Sequence, residues 1–249
     1  MANVWPKLIN PPVDVALFQL KYDIGNTTLN DFLKVEHDIK KIFPKRADNI
    51  TANIDLPSSP IPLGVSKITG TSNAKLSSYT FYSEDQKKKL TITENSISLV
   101  DENKYLGWEN FESNICELLN ILSPVISLHV INRISIRFIN QFELPDFNNP
   151  DEYFKTMIST NQEGAVPYPV KQYGFKILLN IDANTYSIVN QNIDNTSNKY
   201  IYIFDIDVLN KTNIIYDLDL IRKTLAKLRE IKNNIFFGNI TQRIIDLCN

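Results

Sequence analysis

A chain of 249 residues can bury a substantial core without disulfides or metals, as one large domain or two small ones. Its 43% hydrophobic and 10% aromatic content excludes a chain kept disordered by low hydrophobicity. With 26 Lys and Arg against 28 Asp and Glu, the formal net charge of -2 provides no global field toward nucleic acid or an anionic membrane, though it leaves room for a local basic patch.

Pro11 and Pro12 interrupt an N-terminal region that lacks the basic start and unbroken apolar stretch of a secretory leader. No apolar run approaches the roughly 20 residues of a spanning helix, so a cytoplasmic protein without membrane association is expected. Val13 to Tyr22 alternates like a strand and ends at Gly25 and Asn26. From Thr28, a plausible cap, the apolar positions Leu29, Phe32, Leu33, Ile39, Ile42 and Phe43 form a helical stripe that Pro44 stops. Pro57, Pro60 and Pro62 lie amid Ser, Asn and Gly, so Lys45 to Ala74 reads as an exposed loop. Tyr79, Phe81, Leu90, Ile92, Ile97 and Leu99 then alternate across two turns, as in an antiparallel meander. Lys87, Lys88 and Lys89 read as a solvated hairpin tip.

Trp108, Phe111, Ile115, Leu118, Leu119 and Leu122 mark a core-facing helix closed by Ser123 and Pro124. Ile126 to Phe142 is long for one strand and predicts a bend or bulge. Pro145 to Pro150 marks a boundary, with a short helix through Ile158. Strands near Tyr173 to Ile181, Thr185 to Asn192 and Tyr200 to Leu209 precede a helix from Tyr216 to Ile231 and a short last helix after Asn239. The fold class is α+β: two β-rich halves with antiparallel sheets, 1–145 and 146–249, each packed by amphipathic helices and joined as one compact unit.

Chemistry-bearing residues are few. Cys116 and Cys248 lie in apolar helical patterns without CxxC or Cys/His spacing, which reads as buried reduced thiols. His37 and His129 are too few for a His-rich metal site. Arg133 and Arg137 share a strand face with Ser135 between them, about 13 Å apart. They are suited to an extended anionic ligand or a partner's acidic edge, or else to internal carboxylates. Asp205 and Asp207 also share a strand face and are candidate Mg²⁺ ligands, with a structural role opposite Arg133 or Arg137 as the simpler reading. Tyr105 and Trp108 flank Gly107 as either an aromatic platform for a ring ligand or a core anchor. No P-loop, GxSxG, HExxH or GxGxxG occurs.

The segments Pro11-Pro12-Val13-Asp14-Val15, Asn132-Arg133-Ile134-Ser135-Ile136-Arg137-Phe138-Ile139-Asn140, and Phe237 with Ile240-Thr241 occur in an order that resembles a family of sporadically distributed bacterial proteins. That family has about this length and no established activity. Asp14 and Val15 depart from its usual Glu after the Pro-Pro-hydrophobic opening. The resemblance implies a mobile accessory system such as phage defence, toxin neutralisation or polymorphic-toxin immunity, and it selects Arg133, Arg137 and Asn140. The expected function is a non-catalytic interaction protein with a protein partner. The alternatives are a nucleotide- or anion-sensing module on Arg133 and Arg137, and a Mg²⁺-dependent phosphoryl-transfer or nuclease enzyme on Asp205 and Asp207. Homo-oligomers are compatible with all three.

Overall fold

The computed structural model describes residues 5–23, 25, 27–54, 72–145, 152–156, 172–194 and 200–249. Its centre is one antiparallel sheet of nine strands in the order β2-β3-β4-β5-β1-β6-β9-β8-β7. The strands are β1 (Val13–Tyr22), β2 (Lys45–Ile54), β3 (Ser72–Tyr82), β4 (Lys88–Thr93), β5 (Ser96–Asp101), β6 (Val130–Leu144), β7 (Gln172–Asn180), β8 (Thr185–Asp194) and β9 (Tyr200–Ile215). A 3-10 turn at Leu29–Val35 leads into α1 (Glu36–Ile42), and α2 (Trp108–Ile126), α3 (Leu218–Asn239) and α4 (Gln242–Leu247) complete the helices. None is long and apolar enough to cross a membrane among the described residues.

Connectivity repeats. β1 opens a unit whose meander β2 to β5 returns β5 to pair with β1 and is followed by α2. β6 opens a second unit whose meander β7 to β9 returns β9 to pair with β6 and is followed by α3. β1 and β6 then pair with each other, so one sheet runs unbroken across the expected halves.

Strand alternation divides the sheet into two faces. Phe18, Leu20, Ile134, Ile136, Phe138, Phe204 and Ile206 point to one, and all are buried. Phe111 of α2 meets Phe138 with ring centroids 5.7 Å apart, and Phe236 of α3 stacks on Phe142 and Phe204. On the first unit, the Tyr79 hydroxyl donates to Asn30 in the 3-10 turn. Each such ring contributes roughly 1.5–3 kcal/mol by leaving water, and together they form a single core. Gln19, Ser98, Arg133, Ser135, Arg137, Asp205, Asp207 and Asn190 occupy the opposite face.

Several expectations change. Residues 45–54 form β2, an edge strand, rather than a loop, because pairing with β3 supplies the order that its polar sequence does not announce. Lys88 and Lys89 lie within β4, an interior strand, where they pair with Asp101 and Glu102. Helix α2 continues through Pro124 to Ile126. Proline cannot donate to the Asn120 carbonyl, and the Ser123 hydroxyl takes that acceptor at 2.8 Å. The stripe after Thr28 begins as a 3-10 turn before α1, and α3 extends well past Ile231. Pairing irregularities fall between Ile131 and Arg133 on β6, where a bulge is expected. Of the short helix expected through Ile158, residues 152–156 are described, and they form turns and an isolated antiparallel bridge from Phe154 to Ile240 rather than an α-helix, because pairing with the chain after α3 claims that backbone.

Candidate functional site

The Arg and Asp strands are neighbours. In the β6–β9 register Arg137 stands opposite Asp207 and Ile139 opposite Asp205, so Arg137 reaches diagonally to make a bidentate pair with Asp205. Its Nε donates to Oδ1 at 2.8 Å and its terminal nitrogen to Oδ2 at 2.7 Å. The Asn190 amide on β8 donates to the same Oδ2 at 2.9 Å. Asp205 is 5% exposed and Arg137 40%, so the carboxylate anchors the pair and the guanidinium forms its wet edge. Both oxygens of Asp205 are thereby engaged. Among the described residues no three His, Cys, Asp or Glu side chains converge to hold a metal ion.

Asp207 is different. It is half-buried, and burial raises its carboxyl above the usual range; the Asp205 charge adds to this, while Arg137 and Arg133 oppose it. A carboxyl raised in the folded state binds more protons there than in the unfolded chain. Its ionisation therefore costs stability as pH rises from the unfolded value through the folded one. Asp207→Asn is expected to melt at or above the wild-type temperature at pH 7, with the gain shrinking in acid. Thermal melts at pH 7 and pH 4 check this, and a clear loss at pH 7 would show that Asp207 holds a stabilising contact.

Beside the pair is an open depression of about 740 Å³ lined by Arg137, Asp205, Asn190, Asn192, Lys176 and Gly174. Gly174 lies opposite Asn192. A Cβ at 174 would stand 2.0 Å from Asn192 Oδ1, so the missing side chain is what lets the Asn192 amide lean in.

Arg133 lies on the same face, four residues along β6. One terminal nitrogen donates to Gln19 Oε1, and Gln19 in turn donates to the Ser98 hydroxyl at 2.9 Å. Its Nε is buried with no hydrogen-bond partner. Ser135 is buried between Gln19 and Leu209 in the ladder.

The other candidates lie away from this depression. Asn140 points to the helix-covered side, where its amide donates to the Phe204 carbonyl at 2.8 Å; the period of two separates it from Arg133 and Arg137. Trp108 is buried, donates to Glu112 at 2.7 Å and lies under Arg229. Tyr105 packs edge-on against Phe138, and burial raises its hydroxyl pKa. Trp108 is thus a packing element, while Tyr105, half-buried, also lines a cavity of about 290 Å³ with Gly107 and Phe111. Cys116 and Cys248 are both free thiols, raised by burial and so poorly nucleophilic.

Two groups carry no sequence signal. His129 is buried and stacks on Tyr22, with centroids 5.1 Å apart and Nε2 unpartnered. Lys232 on α3 sets its ammonium 4.5 Å from the Phe138 ring centre. No protein-family model matches the chain, and no curated protein matches it either.

Proposed function

We propose that this chain is a non-catalytic recognition protein that binds an acidic segment of a protein partner through the open face of β6, β9, β8 and β7. The observation that carries this reading is Arg137. Asp205, itself fixed by the Asn190 amide, holds its guanidinium in place before any partner arrives, and its unused N–H donors remain at the rim of the depression beside Lys176. A prepositioned fork loses less freedom on binding a carboxylate than a mobile one. The engaged oxygens of Asp205 argue against the Mg²⁺ enzyme reading, which needs them free. The resemblance to sporadically distributed bacterial proteins suggests an accessory setting such as phage defence or toxin neutralisation.

Affinity capture from the native host, using wild-type, Gly174→Val and Lys176→Glu bait, tests the proposal. Wild type should repeatedly recover one partner. Valine should fill the depression and glutamate should repel an acidic segment, each weakening the complex by about tenfold or more. Failure to recover any partner, or equal recovery by all three baits, would overturn the reading. Binding of a small anion is a second reading, favoured by a different part of the same face.

A further inference from the structure

The ladder places three cations side by side. Lys21 on β1 stands opposite Arg133 on β6, and Arg133 stands opposite Lys211 on β9. Adjacent strands are about 4.8 Å apart, so the row spans about 10 Å of the open face. Like charges directly opposite each other destabilise a sheet, and among the described residues none of the three has an ion-pair partner. The nearest acid along β9 is Asp207, beside Arg137 rather than Lys211 in the register.

Neighbours hold two of these side chains. Gln19 braces Arg133 and is itself tied to Ser98. The Lys211 ammonium lies over the Tyr186 ring, 5.4 Å from its centre. The buried Arg133 Nε, with no acceptor, is a donor left over after internal bonding is complete. Three adjacent cations without an ion pair among the described residues, two of them braced and only Arg133 eased by the more distant Asp207 charge, form an arrangement that a bound anion would relieve.

We propose that Lys21, Arg133 and Lys211 form a binding row for an oligophosphate group, such as that of inorganic triphosphate or a nucleoside triphosphate. Linked phosphates present successive negative charges along a length comparable with the row, whereas a single carboxylate can meet only part of it. The planar guanidinium in the middle suits two phosphate oxygens, and the flanking ammonium groups serve as point charges. A polynucleotide needs a longer cationic track. Here the row ends at Ser96, opposite Lys21 on β5, and at Tyr186 beyond Lys211. The site is about 13 Å along β6 from Arg137, on another part of the same face and outside the depression that the partner surface centres on.

Calorimetric titration and thermal melts of the full chain with inorganic triphosphate, ATP and a single-stranded oligonucleotide test the assignment. Triphosphate should bind, raise the melting temperature and lose affinity as salt increases. Arg133→Gln and Lys21→Gln should each weaken it by about tenfold or more, whereas Lys176→Glu should leave it unchanged. Lys21→Gln removes a like-charge contact and breaks no side-chain hydrogen bond among the described residues, so its ligand-free melting should be no lower than wild type, separating lost binding from lost folding, whereas Arg133→Gln also gives up its bond to Gln19. Equal affinity for triphosphate and ATP would show that the row reads phosphates alone, and tighter ATP binding would add a nucleoside contact to it. No binding of triphosphate at millimolar concentration, binding that survives the Arg133→Gln, Lys21→Gln double variant, or binding of the oligonucleotide alone would overturn the proposal. Loss of the protein partner in Lys176→Glu with triphosphate binding intact would confirm that the two surfaces are separate.

Discussion

Replacing Lys232 with methionine is expected to stabilise the protein at pH 7 by about 2–4 kcal/mol. The lysine lies over Phe138 with Arg229 one helical turn away, and burial first, then that positive neighbour, push its pKa down to about 7. The folded state therefore holds the proton more weakly than the unfolded chain does. Below pH 7 the cost of keeping the ammonium is complete, and it is relieved as pH rises from about 7 toward the ordinary lysine value. Methionine keeps the length and apolar stem without the charge. Urea unfolding from pH 6 to 10 should show wild type gaining stability with pH while Lys232→Met stays flatter, so the two converge on the alkaline side. A methionine variant that is less stable than wild type at pH 7 would mean that the cation–π contact outweighs desolvation.

Arg137→Leu is expected to cost about 2–3 kcal/mol. Breaking a fully buried ion pair from one side costs about 3–5 kcal/mol, and the water that reaches the half-exposed guanidinium discounts that figure. What remains is Asp205, almost fully buried and left with only the Asn190 amide. Asp205→Asn should cost less, about 1–2 kcal/mol, because the surviving arginine can turn toward solvent. A double-mutant cycle by urea unfolding measures the coupling. A coupling near zero would reduce the pair to an ordinary surface contact, and Arg137 would then lack the fixed position on which partner recognition rests. The same arginine thus serves both stability and binding, so partner affinity is better probed at Gly174 and Lys176, which lie outside the pair.

Much of the fold was readable because short-range periodicity reflects burial. Leu90 and Ile92, and Ile134, Ile136 and Phe138 alternate with polar residues because one side of each strand faces the core. In β1 the alternation marks the strand, but with apolar residues on both sides Val13, Val15 and Leu17 read as its inner face, whereas Ala16, Phe18 and Leu20 are the ones buried. The stripe from Trp108 to Leu122 repeats at helical spacing for the same reason. β2 escaped this logic: an edge strand beside a proline-rich run can be mostly polar, with no clear apolar alternation, and still pair. Pro124 misled because its stop signal is local, while the Ser123 hydroxyl that satisfies the orphaned carbonyl depends on a rotamer.

The candidate site was legible only in part. Strand parity placed Arg133 with Arg137 and Asp205 with Asp207 on common faces, and the same parity separates Asn140 from the arginines. That Arg137 would clasp Asp205 diagonally, and that Lys21 and Lys211 would flank Arg133, depends on register between strands far apart in the chain. Lys232 was invisible because only the packing of α3 against β6 brings it over Phe138.

Length, near-neutral charge and alternation by themselves determined an α+β protein with a well-formed core and no recognisable catalytic motif. That near-neutral total concealed both an arginine clasped by an aspartate and a row of three cations that form no ion pair among the described residues. Only the tertiary structure decided which charges cancel, since ion pairing depends on a few ångströms between strands, whereas composition counts charges without regard to distance.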